Sequence, residues 1–123
     1  MLSLSPPLQV FMAVEPVDLR KGFDGLSAVV QTVFQRDVLD GHLFLFLNRR
    51  RDRIKILWWD RDGLEVFYKR LERGSYEVPR HEPQAKQLTL DATQLALLLS
   101  GVQLASVKHR RRYRLAPSSS AAC

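Results

Sequence analysis

Between Leu43 and Leu71 three strand-like runs follow one another with only two polar interruptions. Leucine and phenylalanine alternate from Leu43 to Leu47; isoleucine, leucine and tryptophan dominate Ile54 to Trp59; Leu64 to Leu71 completes the set. Strand-forming runs separated by short turn signals predict a three-stranded antiparallel meander. Both tryptophans and many of the arginines fall inside this stretch. The meander is therefore expected to be the core sheet, and its outer face the working surface.

The second turn, Asp60-Arg61-Asp62-Gly63, suits a three-residue hairpin loop with a left-handed glycine. That register opposes Trp58 with Val66, Ile56 with Tyr68 and Ile54 with Arg70 on a core face. It opposes Trp59 with Glu65, Leu57 with Phe67 and Lys55 with Lys69 on a cationic outer face, with Arg53 at the edge. A slip of one residue would exchange the two faces.

Around the meander, Leu8 to Val14 reads as a first strand ended by Glu15-Pro16, because proline cannot donate to a ladder. Phe23, Leu26, Val30, Val33 and Phe34 have helical spacing and predict a helix packed on one sheet face. Asp37 to Gly41 reads as a loop, Tyr76-Glu77-Val78 as a short strand, and Leu88-Thr89-Leu90 as a last one. Asp91 with Gln94 three residues later is a capping-box start for a helix through Leu95, Leu98 and Leu99, stopped at Gly101. The fold class is α+β: a small antiparallel β-meander sheet, one helix inserted after the first strand, and a second helix near the C-terminus. Residues 1–107 form a single globular domain in this reading. Residues 108–123, basic and then serine-rich, are expected to be a disordered tail.

At 123 residues, 46% of them apolar, the chain is long enough for one core without metal or disulfide support. Its single cysteine, Cys123, excludes an internal disulfide framework. No signal-peptide pattern and no run of ~20 apolar residues is found, so a cytoplasmic, nucleoid-associated protein is expected. The surplus of 19 lysines and arginines over 13 acidic residues gives a formal charge of +6, which points toward a polyanion, nucleic acid first.

Catalysis is not indicated. His42, His81 and His109 are scattered, and no cysteine or histidine pair has metal-ligand spacing. Asp60 and Asp62 belong to a turn, and Asp18 and Asp24 flank a helix start where capping accounts for them. No phosphate-binding or nucleophile-elbow motif occurs, so neither a cofactor nor a metal is expected. The polyanion surface is better supported. Arg49, Arg50, Arg51 and Arg53 crowd the first hairpin loop, with Lys55, Lys69, Arg70 and Arg73 on or beside the adjoining strands and Trp59 and Phe67 between them. Guanidinium forks grip phosphate bidentately, and exposed aromatics stack on bases. The competing reading is a solvated edge whose charges discourage aggregation. A second anion site is expected at Arg20-Lys21-Gly22, where two cations meet a helix start, unless Arg20 pairs with Asp18 or Asp24.

The segments Asp18 to Leu26, Gly41 to Phe46, Arg50 to Asp60, Gly63-Leu64 and Phe67 to Gly74, with Lys69-Arg70-Leu71-Glu72-Arg73-Gly74 the most specific, resemble the TnpB-type accessory protein encoded by the second reading frame of IS66-type bacterial insertion sequences. The likeness spans about Val10 to Gly101. It implies a helper in transposition, without enzymatic activity of its own, acting beside a separate transposase and a second small accessory protein. It carries no catalytic residues over. DNA is the expected partner of the basic hairpin; the alternative is a protein–protein module that recruits or regulates the transposase without touching DNA. Leu47 stands where the family often has arginine, and the tail after Val107 looks peculiar to this chain.

Overall fold

A computed structural model describes residues 8–100. Five strands form one sheet: β1 (Val10–Ala13), β2 (Leu43–Leu47), β3 (Arg53–Asp60), β4 (Gly63–Arg70) and β5 (Gln87–Leu90), in the spatial order β4-β3-β2-β1-β5. Helix α1 (Phe23–Val29) lies between β1 and β2 in the chain, and α2 (Ala92–Leu99) follows β5. The class is α+β and mostly antiparallel, as the sequence implies. The expected meander is present as β2-β3-β4, and one pairing departs from a wholly antiparallel sheet: β1 runs parallel to β2, Phe11 beside Phe44, while its other edge takes β5 antiparallel, Phe11 beside Thr89. A parallel pair needs a crossover, and α1 supplies it.

Both faces of the sheet are covered, which explains why β2 reads as an unbroken apolar run. On one face Phe11, Ala13, Phe44, Phe46 and Leu57 meet Leu26, Val30 and Phe34. The ring of Phe34 sits 5.1 Å from Phe44 and 6.0 Å from Phe46, tilted or edge-on. On the other face Met12, Leu45, Leu47, Ile54 and Ile56 meet Leu98 of α2 and Tyr76. The expectation of an open outer face is therefore overturned: Leu57, assigned to solvent with Phe67, is fully buried under the first helical segment.

A second correction concerns the β3–β4 hairpin, whose register is shifted by one residue, exchanging the two faces of β4. The loop holds two residues, not three, since Asp60 pairs with Gly63. The left-handed position is Arg61, at φ 56°, whereas Gly63 begins the strand. Trp58 consequently opposes Glu65, Trp59 opposes Leu64, Ile56 opposes Phe67, and Lys55 opposes Tyr68.

The helices follow their sequence signals closely. Leu26, Val30 and Phe34 are buried as their spacing implies, the last two in a π-helical turn, Val30–Phe34, that continues α1. Phe23, at the start of the stripe, is half exposed instead. The Asp37–Gly41 loop contains a short 3-10 turn, Val38–Asp40, capped by the Asp37 side chain. Tyr76-Glu77-Val78 is not a strand; Tyr76 fills the second core from irregular chain. Asp91 and Gln94 form the complete capping box, with the Gln94 amide donating to Asp91 Oδ1 at 2.7 Å. Changing Asp91 to alanine should lower unfolding stability by ~1 kcal/mol, measured by urea titration. The helix stop at Gly101 and the basic tail lie outside the described residues. No helix among the described residues is long and apolar enough to cross a membrane.

Candidate nucleic-acid interface

Because β1 and β2 are parallel, the chain leaves both at the same end of the sheet. The segment after β1, carrying Asp18, Leu19 and Arg20, therefore meets the β2–β3 loop, carrying Asn48, Arg50, Asp52 and Arg53. With Tyr68 of β4 these residues line a cleft of about 250 Å³. The Val17 amide donates to the Leu47 carbonyl at 2.8 Å, and Leu19 is buried in the α1-side core, so both walls are anchored.

The arginine-bearing loop is rigidly built. Asn48 Nδ2 donates to Asp52 at 2.7 Å, and Asn48 Oδ1 accepts the Arg53 amide at 3.0 Å. The Leu71 amide donates to the Asp52 carbonyl and the Tyr76 amide to the Arg51 carbonyl, at 2.8 and 2.7 Å. Arg51 holds the left-handed turn at φ 61°. The Asn48 hydrogen bond, aided by Arg50 and Arg53, keeps the Asp52 carboxyl below its ordinary value. Arg49, Arg50, Arg51 and Arg53 are all exposed on this frame.

Arg20 forms a forked pair with Asp18, Nη2 to Oδ2 at 2.8 Å and Nε to Oδ1 at 3.0 Å, while its guanidinium stays largely in solvent. The Arg20 side chain and amide together hold the Asp18 carboxyl at about 2, against an ordinary 3.8. The folded state binds this proton less readily than the unfolded chain, so the pair stabilises above the ordinary value and is lost as pH falls through about 2. Exchanging Arg20 for glutamine should return the Asp18 midpoint toward 3.8, read from its carboxyl carbon shift in an NMR titration. The anion pocket expected at Arg20-Lys21-Gly22 does not assemble as such. The Lys21 amide is taken by the Asp18 carbonyl at 3.2 Å, and Arg20 turns to the cleft.

Arg53 Nη1 donates to the Tyr68 hydroxyl at 3.2 Å. Lys55, partly buried, spans from the sheet to the start of α1, donating to the Lys21 carbonyl at 3.0 Å with its Nζ 4.8 Å from the Tyr68 ring centre. It braces the cleft wall. Lys69, expected beside Lys55, points to the opposite face and donates to the Leu99 carbonyl at 3.3 Å, a cation at the end of α2. Arg70 pairs with Glu72 at 3.1 Å, Arg73 is exposed beyond β4, and Trp59 is half-buried opposite Leu64.

Of the candidate residues, the cleft thus joins Arg20, Arg50 and Arg53, with Arg49 and Arg51 on the same loop. Lys69 and Trp59 fall elsewhere. Tyr68, half exposed, belongs to the site and was missed because the shifted register assigned it to the core. Among the described residues no cluster of three histidine, cysteine or acidic side chains is placed to hold a metal.

The model of one protein family, described as IS66 Orf2-like protein, matches residues 8–109. The uncharacterised protein y4hO of Sinorhizobium fredii is 37% identical over 102 residues, covering 83% of this chain and 87% of its own. A second uncharacterised protein of that organism, y4jC, is 32% identical over 110 residues, covering 89% of this chain and 92% of its own. No solved structure matches.

Proposed function

Because the chain belongs to the IS66 Orf2-like protein family, we propose that it is a non-enzymatic accessory factor in transposition of its insertion sequence, acting on the DNA backbone. The observation that carries the DNA reading is the convergence of Arg20, Arg50 and Arg53 with Tyr68 in one open cleft. The Arg50 and Arg53 guanidinium groups offer forks suited to the oxygens of a phosphate path, while the fork of Arg20 is held by Asp18. Tyr68 adds a ring on which an unpaired base can stack. The transposase and the second accessory protein of the element are the protein partners in this reading, and the catalytic chemistry belongs to the transposase.

The test is a fluorescence-anisotropy titration of the purified protein on the element's terminal repeats and on random duplex and single-stranded DNA, repeated across a salt series. Binding whose logarithm falls linearly with the logarithm of salt supports the proposal. Absence of binding at low salt, with transposase still retained in a nuclease-treated pull-down, would favour the second reading, a recruiting module that never touches DNA. The half-exposed Phe67 and Tyr68 on an outer strand are the observation on its side.

A further inference from the structure

β4 is an outer strand of eight residues with no neighbour beyond it among the described residues. A two-residue loop makes Asp60–Gly63 a hydrogen-bonded pair, so alternation turns the backbone groups of Glu65, Phe67 and Lys69 toward β3. Those of Leu64, Val66, Tyr68 and Arg70 then face away, open to another strand. The side chains are polarised along the same edge. Asp60, Asp62 and Glu65 lie at the hairpin end, Lys69 and Arg70 at the other, with Phe67 41% and Tyr68 50% exposed between them.

We infer that this edge pairs antiparallel with β4 of a second copy of the chain, about a two-fold axis through Phe67. In that register Phe67 opposes Phe67, Val66 opposes Tyr68, and each Glu65 opposes the other copy's Lys69. The pairing is self-complementary at both ends. An axis at Val66 or Tyr68 sets a charge against Phe67 instead, and an axis at Glu65 or Lys69 sets like charges together. Parity agrees as well: Val66 and Tyr68, both with open backbone groups, form a hydrogen-bonded pair. Opposed charges and aromatic pairs stabilise such a ladder, and like charges weaken it.

The local electrostatics fit the same register. The neighbouring carboxyl of Asp60, with the charge of Asp62, pushes the Glu65 carboxyl up, and a cation placed opposite would relieve it. Lys69 spends one contact on the Leu99 carbonyl and is otherwise exposed. Lysine on an edge strand discourages chance pairing. Here it discriminates, repelling strands without an acid at the matching position. A two-fold axis perpendicular to the sheet keeps the α1 faces of both copies on one side, so two basic clefts face the same way. The pairing stands whether or not the clefts bind DNA.

Sedimentation equilibrium of the nuclease-treated full chain tests it. The native protein should be dimeric, and Glu65→Lys or Lys69→Glu alone should weaken association roughly tenfold or more. A mixture of the two single variants should restore dimers, because one copy's two lysines then face the other's two glutamates. In a Cys123→Ser background, Phe67→Cys should form an oxidised dimer, since the opposed Cα atoms of this non-hydrogen-bonded pair lie ~4.5 Å apart. Thr89→Cys on the other outer strand, β5, should not. A native protein monomeric at all concentrations, charge variants that stay dimeric, or folded single variants whose mixture stays monomeric would overturn the inference.

Discussion

Replacing Arg50, Arg51 and Arg53 together by glutamine is expected to weaken DNA binding at least tenfold at low salt. It should also flatten the salt dependence by up to about three units of slope, since each neutralised phosphate contact contributes ~0.9. The three side chains share one exposed loop whose shape is held by Asn48, Asp52 and backbone hydrogen bonds, so the variant should fold normally. Arg61→Gln, in the loop at the far end of β3, is the control and should leave the slope unchanged. Anisotropy titrations between 50 and 200 mM salt, about the range over which such contacts change affinity most visibly, decide the matter. An unchanged slope in the triple variant would remove the β2–β3 loop from the interface.

The largest stability effect should come from Phe44. Its ring is fully buried beneath α1, with Phe11 5.7 Å and Phe34 5.1 Å away. Truncation to alanine leaves a cavity lined by rings that cannot all move inward, at a cost of ~3–5 kcal/mol. In a domain of this size that lowers the thermal midpoint by more than ~10 °C. Phe67→Ala, on the exposed side of β4, should change the stability of the isolated chain by no more than ~0.5 kcal/mol. Thermal unfolding of both variants followed by circular dichroism at high dilution, where the chain is a monomer, separates the interior phenylalanines from the one that faces out.

Much of this architecture was legible from local chemistry. The apolar spacing of Leu26, Val30 and Phe34 and the Asp91–Gln94 box act over three or four residues, and both appear as expected. The Leu88-Thr89-Leu90 strand appears too, one residue longer at its start. What was not legible depended on distant partners. Nothing within Val10–Ala13 says that it inserts beside β2 in parallel, because that choice is made by the α1 crossover and by a partner strand that begins only at Leu43. The hairpin register failed for a sharper reason. A glycine after Asp-Arg-Asp invites a left-handed assignment, yet Arg61 takes that conformation and Gly63 is extended. One residue of slip then moved Lys69 to the wrong face and Tyr68 into the core. A signal against the open face was present: Ile56-Leu57-Trp58-Trp59 does not alternate, as a strand covered on both sides need not. The arginine cluster needed no register to be found; which arginines converge did.

The position of β1 has a consequence for how the chain matures. β2, β3 and β4 are successive, and their hairpins can close within microseconds of being available. β1 is made first but is flanked by β2 and β5, so one of its edges has no neighbour until residues 87–90 exist. Pairings that distant in sequence close slowly. A nascent or prematurely ended chain therefore passes through a stage in which Val10–Ala13 presents a bare, wholly apolar ladder, and that stage is where this protein is most exposed to aggregation and to chaperones.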